Sequence, residues 1–297
     1  MTDIALVTEA ALEAPAEMDP YVANVLEEDR ILTQALAARG LSVRRVDWAR
    51  PDVDWSGFRA AVVRTTWHYS ERPEEFRAWI ERVSRATSLF NEPGTLRWNM
   101  DKRYLLELAD AGIPTVPTEV LERGSRRTLA EITLARGWKS VVLKPVISGS
   151  GRHTYRVTAA DRDEHEATLA RLLADEAMMV QPFLPAIVDR GEVTIVMIDG
   201  EPTNALRKRA RPGEFRVQDD HGGTLHDHTA TPQELSLAQN AIALRRPMPL
   251  YGRVDLVSGP DGGPLVMELE LIEPELWFRR HPPAAQRLAA VLATALG

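Results

Sequence analysis

Three carboxylates near the C-terminal end of the chain have the spacing of a metal site. Glu268 and Glu270 are separated by one residue in the apolar run 265–271, so in a strand both side chains leave the same face. Asp255 lies in a second apolar run, 252–257. Neighbouring carboxylates repel each other unless a cation lies between them, and Mg²⁺ takes a few carboxylates into its shell. The pattern predicts a Mg²⁺ site on two adjacent strands, and a solvated strand edge with alternating charge is the alternative.

A lysine and a glycine-rich loop form a second candidate site. Lys144 follows the apolar residues 141–143 and precedes the loop Ser148-Gly149-Ser150-Gly151-Arg152. An ammonium group at a strand end that faces the amides of such a loop is a natural site for phosphate. The spacing does not match a Walker loop. Because many loops of this composition are simple turns, both interpretations stay open.

A cluster of basic residues lies within the run 206–211. In a strand, Arg207, Arg209 and Arg211 would share one face and Lys208 would lie on the other. The formal charge of the whole chain is −7, which argues against a nucleic-acid surface. We therefore interpret the arginine face as a clamp for a small anion, such as a triphosphate or a carboxylate, with a solvated edge as the alternative.

Two further groups of side chains were considered for a role in binding. His226 and His228 lie two residues apart without an evident third ligand, so we interpret them as incidental and not as a zinc site. Trp67 and Tyr69 follow an apolar strand, at the position where α/β sheets usually bind ligands. They could equally pack against the next domain, and both interpretations stay open.

The elements that must position these residues change in character along the chain. Before residue 99, β-rich runs alternate with amphipathic stretches, which predicts an α/β layer with parallel strands. Asn99 is then predicted to cap a helix that ends at Ala111. The C-terminal third predicts a twisted antiparallel sheet, with strands over residues 193–198, 203–210, 251–257 and 264–271.

Length and composition limit the class of protein. A chain of 297 residues with 44% hydrophobic and 27% charged residues is typical of a soluble globular protein with two or three lobes. No apolar run is long enough for a membrane helix, and the N-terminus lacks the pattern of a secretory signal. The absence of cysteine excludes disulfides and thiolate metal sites. We expect a cytoplasmic enzyme with no nucleic-acid or membrane partner, and a homo-oligomer stays open.

In their order and spacing, these elements resemble the ATP-grasp superfamily over the whole chain. The resemblance implies an α/β (α+β) ATP-grasp fold. It further implies an N-terminal Rossmann-like domain over residues 1–98, a small lid domain over 99–180 and a large antiparallel C-terminal domain with the metal site over 181–297. No single motif is highly specific, but their order and spacing together are.

The resemblance also implies a role for each candidate residue. The phosphates of ATP would be held by Lys102, Lys144 and the loop Ser148, Gly149, Ser150, Gly151 and Arg152. The adenine and ribose would be held by Gln181, Pro182, Phe183, Leu184 and Glu192. Mg²⁺ would be held by Asp255, Glu268 and Glu270, and the acyl phosphate would be stabilised by Arg253 with one or more of Arg207, Arg209 and Arg216. Many members carry asparagine at the third metal position, so Glu270 is a modest departure.

Two motifs are similar to those of short ligases within this superfamily. They are Gly213-Glu214-Phe215-Arg216-Val217-Gln218 followed by Gly222-Gly223, and Glu268-Leu269-Glu270-Leu271-Ile272-Glu273-Pro274. Such ligases act in amino-acid-derived antibiotic pathways and include cyclo-ligases that close O-ureido-D-serine to D-cycloserine. The resemblance implies a carbon–nitrogen ligase that uses ATP and Mg²⁺ on a small amino-acid-like substrate, through an acyl phosphate and by intramolecular cyclisation. A two-substrate ligase similar to glutathione synthetase, or a small-molecule kinase, stays open.

Overall fold

The computed structural model describes residues 2–217 and 222–297. Gln218, the last residue of one of the two motifs above, lies outside the described residues. The described chain contains three β-sheets, built in turn from residues 2–90, 119–182 and 192–270.

The first sheet is parallel and has four strands in the order β2-β1-β3-β4. Its elements, with 3₁₀ turns at Trp55–Gly57 and Trp67–Ser70, are β1 (Thr2–Thr8), α1 (Ala10–Glu13), α2 (Pro20–Ala37), β2 (Val43–Asp47), β3 (Phe58–Thr65), α3 (Pro73–Ser84) and β4 (Ser88–Phe90). Helix α3 begins with a proline and two glutamates, which suit the positive end of a helix, and it buries Phe76 and Trp79. The predicted parallel α/β layer is confirmed.

Two short helices connect this sheet to the rest of the chain, α4 (Pro93–Asn99) and α5 (Tyr104–Asp110). The predicted helix from Asn99 to Ala111 is therefore wrong, because Asn99 ends α4 and does not cap α5. The Asn99 side chain is buried and bonds instead to the backbone, donating to the Leu269 carbonyl and accepting from the Leu271 N–H, each at 2.7 Å.

Asn91 makes a similar set of bonds just after β4. Its side-chain amide donates to the carbonyls of Tyr251 and Leu271 at 2.8 and 2.7 Å, and its carbonyl accepts from the Leu250 N–H at 2.7 Å. Asn91 and Asn99 thus join the first part of the chain to the ends of two strands of the third sheet.

The second sheet is antiparallel, with the strand order β5-β8-β6-β7. Its elements are β5 (Glu119–Leu121), α6 (Leu129–Arg136), β6 (Val141–Pro145), β7 (Tyr155–Val157), α7 (Arg162–Leu173) and β8 (Met178–Pro182). Helix α6 begins with a reciprocal capping box between Thr128 and Glu131 and ends at Gly137, whose positive φ of 66° closes the helix. Both helices pack on this sheet around Ile132 and Leu169, which forms a core of its own.

The third sheet is antiparallel, with the strand order β11-β10-β9-β12-β13. Its elements are α8 (Ala186–Asp189), β9 (Glu192–Ile198), β10 (Glu201–Arg209), β11 (Thr224–Asp227), α9 (Pro232–Ala243), β12 (Tyr251–Ser258), β13 (Pro264–Glu270) and α10 (Pro282–Leu296). The predicted antiparallel sheet is confirmed. Helix α9 packs on it, and α10 packs against α2.

The first and third sheets share one hydrophobic core. Leu6 of β1 and Leu32 of α2 belong to the same buried cluster as Ile198 of β9, Trp277 and Leu288 of α10. Among the described helices, none is both long and apolar enough to cross a lipid bilayer.

Candidate active site

A cavity lies where the three sheets meet. The first part of the chain contributes aromatic side chains, among them Trp67 and Tyr69, and the second sheet contributes Lys144 and the Ser148–Gly151 loop. Six carboxylates line the cavity: Glu192, Asp255, Glu268, Glu270, Glu273 and Glu275. Five cations face them: Lys102, Lys144, Lys208, Arg216 and Arg253. Such alternation of charge suits a ligand that carries both phosphates and metal ions.

The three predicted metal carboxylates lie on the neighbouring strands β12 and β13. Asp255 pairs in register with Glu268, and Arg253 pairs with Glu270. Asp255 is fully enclosed by donors, since it accepts from Thr194 Oγ1 at 2.5 Å and from Arg253 Nε at 2.9 Å. Arg253 also donates to Glu270.

The two glutamates fit a metal ion better than Asp255 does. Glu268 contacts Lys102 Nζ at 3.2 Å through Oε1, and Glu270 accepts from Arg253 through Oε1. Each keeps its second oxygen without a partner among the described residues. As the side chains stand, no group of three or more histidines or carboxylates in the described chain is arranged to hold a metal ion. Mg²⁺ fits here if it replaces one of the donors that Asp255 now accepts from. The metal role of Asp255, Glu268 and Glu270 stays a prediction.

Burial and mutual repulsion raise the pKa of Glu270 and Glu192, whereas neighbouring cations lower the pKa of Asp255 and Glu268. Burial is the largest cause that raises the pKa of Glu270, and the charges of Asp255 and Glu268 raise it further. Burial likewise raises the pKa of Glu192, although Lys208 opposes the rise. Cations brought in by a ligand would relieve this repulsion, which is the electrostatic condition for metal binding.

Lys102 and Lys144 approach the loop from two sides. Lys102 is buried, and its Nζ donates to the Ser148 carbonyl at 2.5 Å. Lys144 lies near the end of β6, and its ammonium group has no hydrogen bond or ion pair within residues 2–217 and 222–297. Burial lowers its pKa, which is the sign of a cation that lacks solvent and a sufficient counter-charge. An anionic phosphate fits this position.

The loop itself is only partly in the cavity. Ser148, Gly149, Ser150 and Gly151 line it, whereas the Arg152 guanidinium turns to Glu176, with contacts of 2.9 and 2.5 Å. Gly149 lies against the turn Trp67–Ser70, because a Cβ there would be 3.4 Å from Ser70 Oγ. The loop therefore closes against the first part of the chain, and the predicted phosphate contact of Arg152 would require it to leave Glu176.

The candidate arginines separate into two groups. Arg253 and Arg216 line the cavity, whereas Arg207 and Arg209 are not among its described lining residues. Arg207 donates to the Arg190 carbonyl and contacts His228, on the face of β10 opposite the cavity. Of the basic run it is Lys208 that faces inward, which corrects the predicted orientation of this strand.

Lys208 is a site residue that the sequence analysis did not select. Its Nζ lies 2.7 Å from Glu192 Oε1 and 3.4 Å from Asp255 Oδ2, and all three side chains are buried. The alternation of β10 separated Lys208 from the arginines correctly. It did not say which face was buried, because that depends on Glu192, which pairs in register with Lys208 on the adjacent strand β9.

The predicted adenine and ribose residues all line the cavity. Gln181 donates from Nε2 to Thr118 Oγ1 at 2.9 Å, and the Phe183 N–H donates to the Ser140 carbonyl at 2.8 Å. Glu192 begins β9 beside them. Their roles towards a nucleotide stay predictions.

The aromatic side chains of the first part of the chain form the opposite wall. Trp67 and Tyr69 line the cavity, and Trp67 also packs on Tyr21, with ring centroids 5.8 Å apart. The Trp67 indole N–H donates to the Glu273 carbonyl at 3.3 Å. Trp67 thus packs against the third part of the chain, and a role of Trp67 and Tyr69 in ligand binding stays a prediction.

The two histidines lie elsewhere. His228 contacts Glu234 at 2.9 Å, and His226 contacts Thr224 at 3.0 Å. Neither histidine is among the described residues that line the cavity.

Comparison with protein families gives two matches that together span most of the chain. Residues 4–91 match the family described as D-cycloserine synthetase DcsG, N-terminal domain. Residues 114–257 match the prokaryotic glutathione synthetase ATP-grasp domain.

Among curated proteins, the chain is 34% identical over 312 residues to the cycloserine biosynthesis protein DcsG of Streptomyces lavendulae, covering 99% of this chain and 98% of that protein. It is 30% identical over 228 residues to the glutathione synthetase of Prochlorococcus marinus (strain MIT 9313), covering 73% of this chain and 69% of that protein.

Solved structures agree with these relatives. The crystal structure of D-cycloserine synthetase DcsG superposes with a TM-score of 0.85 at 32% identity, over 99% of both chains. A D-alanine–D-alanine ligase from Bacillus anthracis has a TM-score of 0.68 at 15% identity, over 100% of this chain and 97% of that one, which shows a shared fold. The chain therefore belongs to the DcsG family of ATP-grasp enzymes, and it is a carbon–nitrogen ligase that uses ATP and Mg²⁺.

Proposed function

We propose that this ligase closes O-ureido-D-serine to D-cycloserine in antibiotic biosynthesis. The observation that carries the proposal is the full-length similarity to DcsG, at 34% identity in sequence and a TM-score of 0.85 in structure. The similarity includes residues 4–91, whose family is specific to that enzyme, and these residues supply the aromatic wall of the cavity.

The cavity supplies the contacts that such a reaction needs. Bound ATP with Mg²⁺ supplies the phosphoryl group that turns the substrate carboxylate into an acyl phosphate. Lys102 and Lys144 neutralise phosphate charge, and Glu268 and Glu270 hold the metal. Most of the catalysis in phosphoryl transfer comes from such positioning and electrostatic stabilisation.

Arg253 is the best candidate to stabilise the acyl phosphate. It is buried between Asp255 and Glu270, so its guanidinium is fixed before substrate binds. The loop Ser148–Gly151 lies over the same cavity and would exclude water, which would otherwise hydrolyse the acyl phosphate. The oxygen-linked nitrogen of the ureido group then attacks the carbonyl carbon, phosphate leaves and this nitrogen loses its proton. Addition of water to the carbamoyl group releases it as carbamic acid, which leaves D-cycloserine.

Two alternatives use the same contacts. A two-substrate ligase is favoured by the glutathione synthetase relatives, but the match to one of them covers only 73% of this chain. A kinase would stop at a stable phosphorylated product. An intramolecular nucleophile needs no second pocket and gains a large effective concentration, up to ~10⁵ M or more in favourable geometry.

We further propose that the chain is divided into three domains, residues 1–98, 99–180 and 181–297, and the three sheets support this division. We also propose that the enzyme acts in the cytoplasm without a nucleic-acid or membrane partner.

The deciding experiment supplies one small substrate at a time. With ATP and Mg²⁺, O-ureido-D-serine alone should give ADP, phosphate and a cyclic product detected by mass spectrometry, and the L-isomer should react poorly. Added free amines or amino acids should not accelerate ADP release. Strict dependence of ADP release on a second amine would refute cyclisation, and a stable phosphorylated product would identify a kinase.

A further inference from the structure

Glu273 differs from the other carboxylates of the cavity in having no partner. Glu192, Asp255, Glu268 and Glu270 each contact a lysine or arginine. Glu275 likewise pairs with Arg279. The Glu273 carboxylate has no ion pair or side-chain hydrogen bond with any described residue, although it lines the same cavity. A carboxylate so enclosed requires a cation or a proton from elsewhere.

The backbone that carries Glu273 is held on each side. The Ile272 carbonyl accepts from the Tyr251 hydroxyl at 3.3 Å, and the Glu273 carbonyl accepts from Trp67 Nε1 at 3.3 Å. The Pro274 carbonyl accepts from Arg64 Nη1 at 3.1 Å, and Arg64 is buried. The backbone from which the side chain extends is therefore fixed before a ligand arrives, as in a prepared binding site.

The surroundings of Glu273 suit an organic ammonium group better than a hydrated metal ion. Trp67 and Tyr69 line the same cavity, and Trp67 contacts the Glu273 backbone; aromatic rings attract organic cations. Mg²⁺ prefers oxygen ligands and keeps several waters. Glu273 follows Glu270 by three residues, so it lies beside the carboxylates and Arg253, where the substrate carboxylate must be activated.

We propose that Glu273 binds the α-ammonium group of the amino-acid substrate and thereby sets which carboxylate is presented to ATP. In an α-amino acid the ammonium and carboxylate groups are attached to the same carbon atom. An ammonium group held by Glu273 therefore directs its own carboxylate towards Arg253 and not towards the aromatic wall. This assignment deepens the proposed function and rests on it for the choice of substrate.

The test compares two ligands and three proteins. O-ureido-D-serine and its analogue lacking the amino group, 3-(ureidooxy)propanoic acid, are titrated by calorimetry in the presence of Mg²⁺ and a non-hydrolysable ATP analogue. The wild type should prefer the amine by roughly 10- to 100-fold, the range expected for a charge-assisted contact. Glu273→Gln should lose this preference while its affinity for the ATP analogue stays unchanged.

Glu9→Gln is the matched control. Glu9 is also a carboxylate that follows a strand, here β1, but it already contacts His68 Nδ1 at 2.9 Å and is not among the described lining residues. It should keep the wild-type preference. Because the Glu273 side chain has no described partner, Glu273→Gln should fold, and thermal unfolding checks this.

The proposal fails if Glu273→Gln keeps the preference, if Glu9→Gln loses it instead, or if the wild type binds neither compound or both equally. Failure of the proposed function is a separate result. It appears as absence of the cyclic product during turnover, while the preference for the amine and its loss in Glu273→Gln remain.

Discussion

At the scale of single residues, many charged side chains of the cavity are paired with one another. A ligand that binds them must take the place of some of these partners. Lys102 is shared between the Ser148 carbonyl and Glu268, and Lys208 is shared between Glu192 and Asp255. Each pair satisfies a buried charge that would otherwise cost free energy. A nucleotide with its metal ions can therefore replace internal partners without leaving a charge uncompensated.

Glu268→Gln tests the metal assignment. The variant should fold, because Glu268 makes a single ion pair at the cavity and its strand is held by backbone bonds. Its turnover at limiting Mg²⁺ should fall by roughly 100-fold, since a neutral amide is a poor ligand for Mg²⁺. ADP release over a Mg²⁺ titration measures this, with the exposed Glu81→Gln as control. Turnover close to that of the wild type at limiting Mg²⁺ would remove Glu268 from the metal site.

Glu273 should also give the unliganded protein a dependence of stability on pH. Burial raises its pKa from 4.5 to about 8, and the charge of Glu270 adds to the rise. Between these values the folded protein keeps a proton that the unfolded chain releases, so the stability of the folded state falls as pH increases. The difference between the melting temperature of Glu273→Gln and that of the wild type should therefore increase from pH 5 to pH 9. A difference that does not change with pH would contradict this pKa.

At the scale of elements, the loop Ser148–Gly151 lines the cavity, and the proposed function gives it the phosphates of ATP to bind. Gly151 has a positive φ of 69°, and Ser150 one of 48°, a conformation that is unfavourable for serine and that phosphate contacts would help to stabilise. Its amides should exchange rapidly without nucleotide and slowly with a non-hydrolysable ATP analogue and Mg²⁺. Hydrogen exchange by mass spectrometry measures this, with α3 as an internal reference. Unchanged exchange at saturating analogue would argue against a phosphate role for the loop.

The sequence predicts most strands of the site but not all of their orientations. Periodicity of two identified β12 and β13 and put Glu268 and Glu270 on one face, because their alternate residues are apolar. The same periodicity could not show that Lys208, and not Arg207, is buried, since both faces of β10 carry basic residues. That choice depends on Glu192 and Asp255, which lie on other strands.

The roles of Asn99 and Glu273 could not be predicted from the sequence, for a different reason. Asparagine before a helical stretch is usually a cap, but here Asn99 bonds to β13, 170 residues further along the chain. Glu273 is notable because its carboxylate has no partner among the described residues. A local sequence pattern cannot show this. Helix α10 was also missed, although Ala284, Leu288 and Leu292 of its buried face follow helical spacing and the helix packs on α2.

At the scale of the whole molecule, we expect the second sheet to open at a lower free energy than the other two, although Met179 of β8 packs into the core of the third sheet. Its core contains only residues from Leu121 to Val180, whereas the first and third sheets share a core. The amides of β6 and β8 should therefore exchange at a lower free energy of opening than those of β1 and β9. Native-state hydrogen exchange at increasing denaturant measures both values, and the ATP analogue should raise the lower one. Equal values for the two regions without ligand would contradict a separate lid.

The side chains of Asn91 and Asn99 have a consequence for the size of substrate that this enzyme accepts. Both are short, and both bond directly to the backbone of the third sheet, so the gap between the aromatic wall and the carboxylates has a nearly constant width. In the proposed function the nucleotide lies at the end lined by the second sheet, which we expect to widen, and the amino acid lies at the end that Asn91 and Asn99 hold. The enzyme should therefore discriminate against bulkier amino acids by exclusion, whatever their charge.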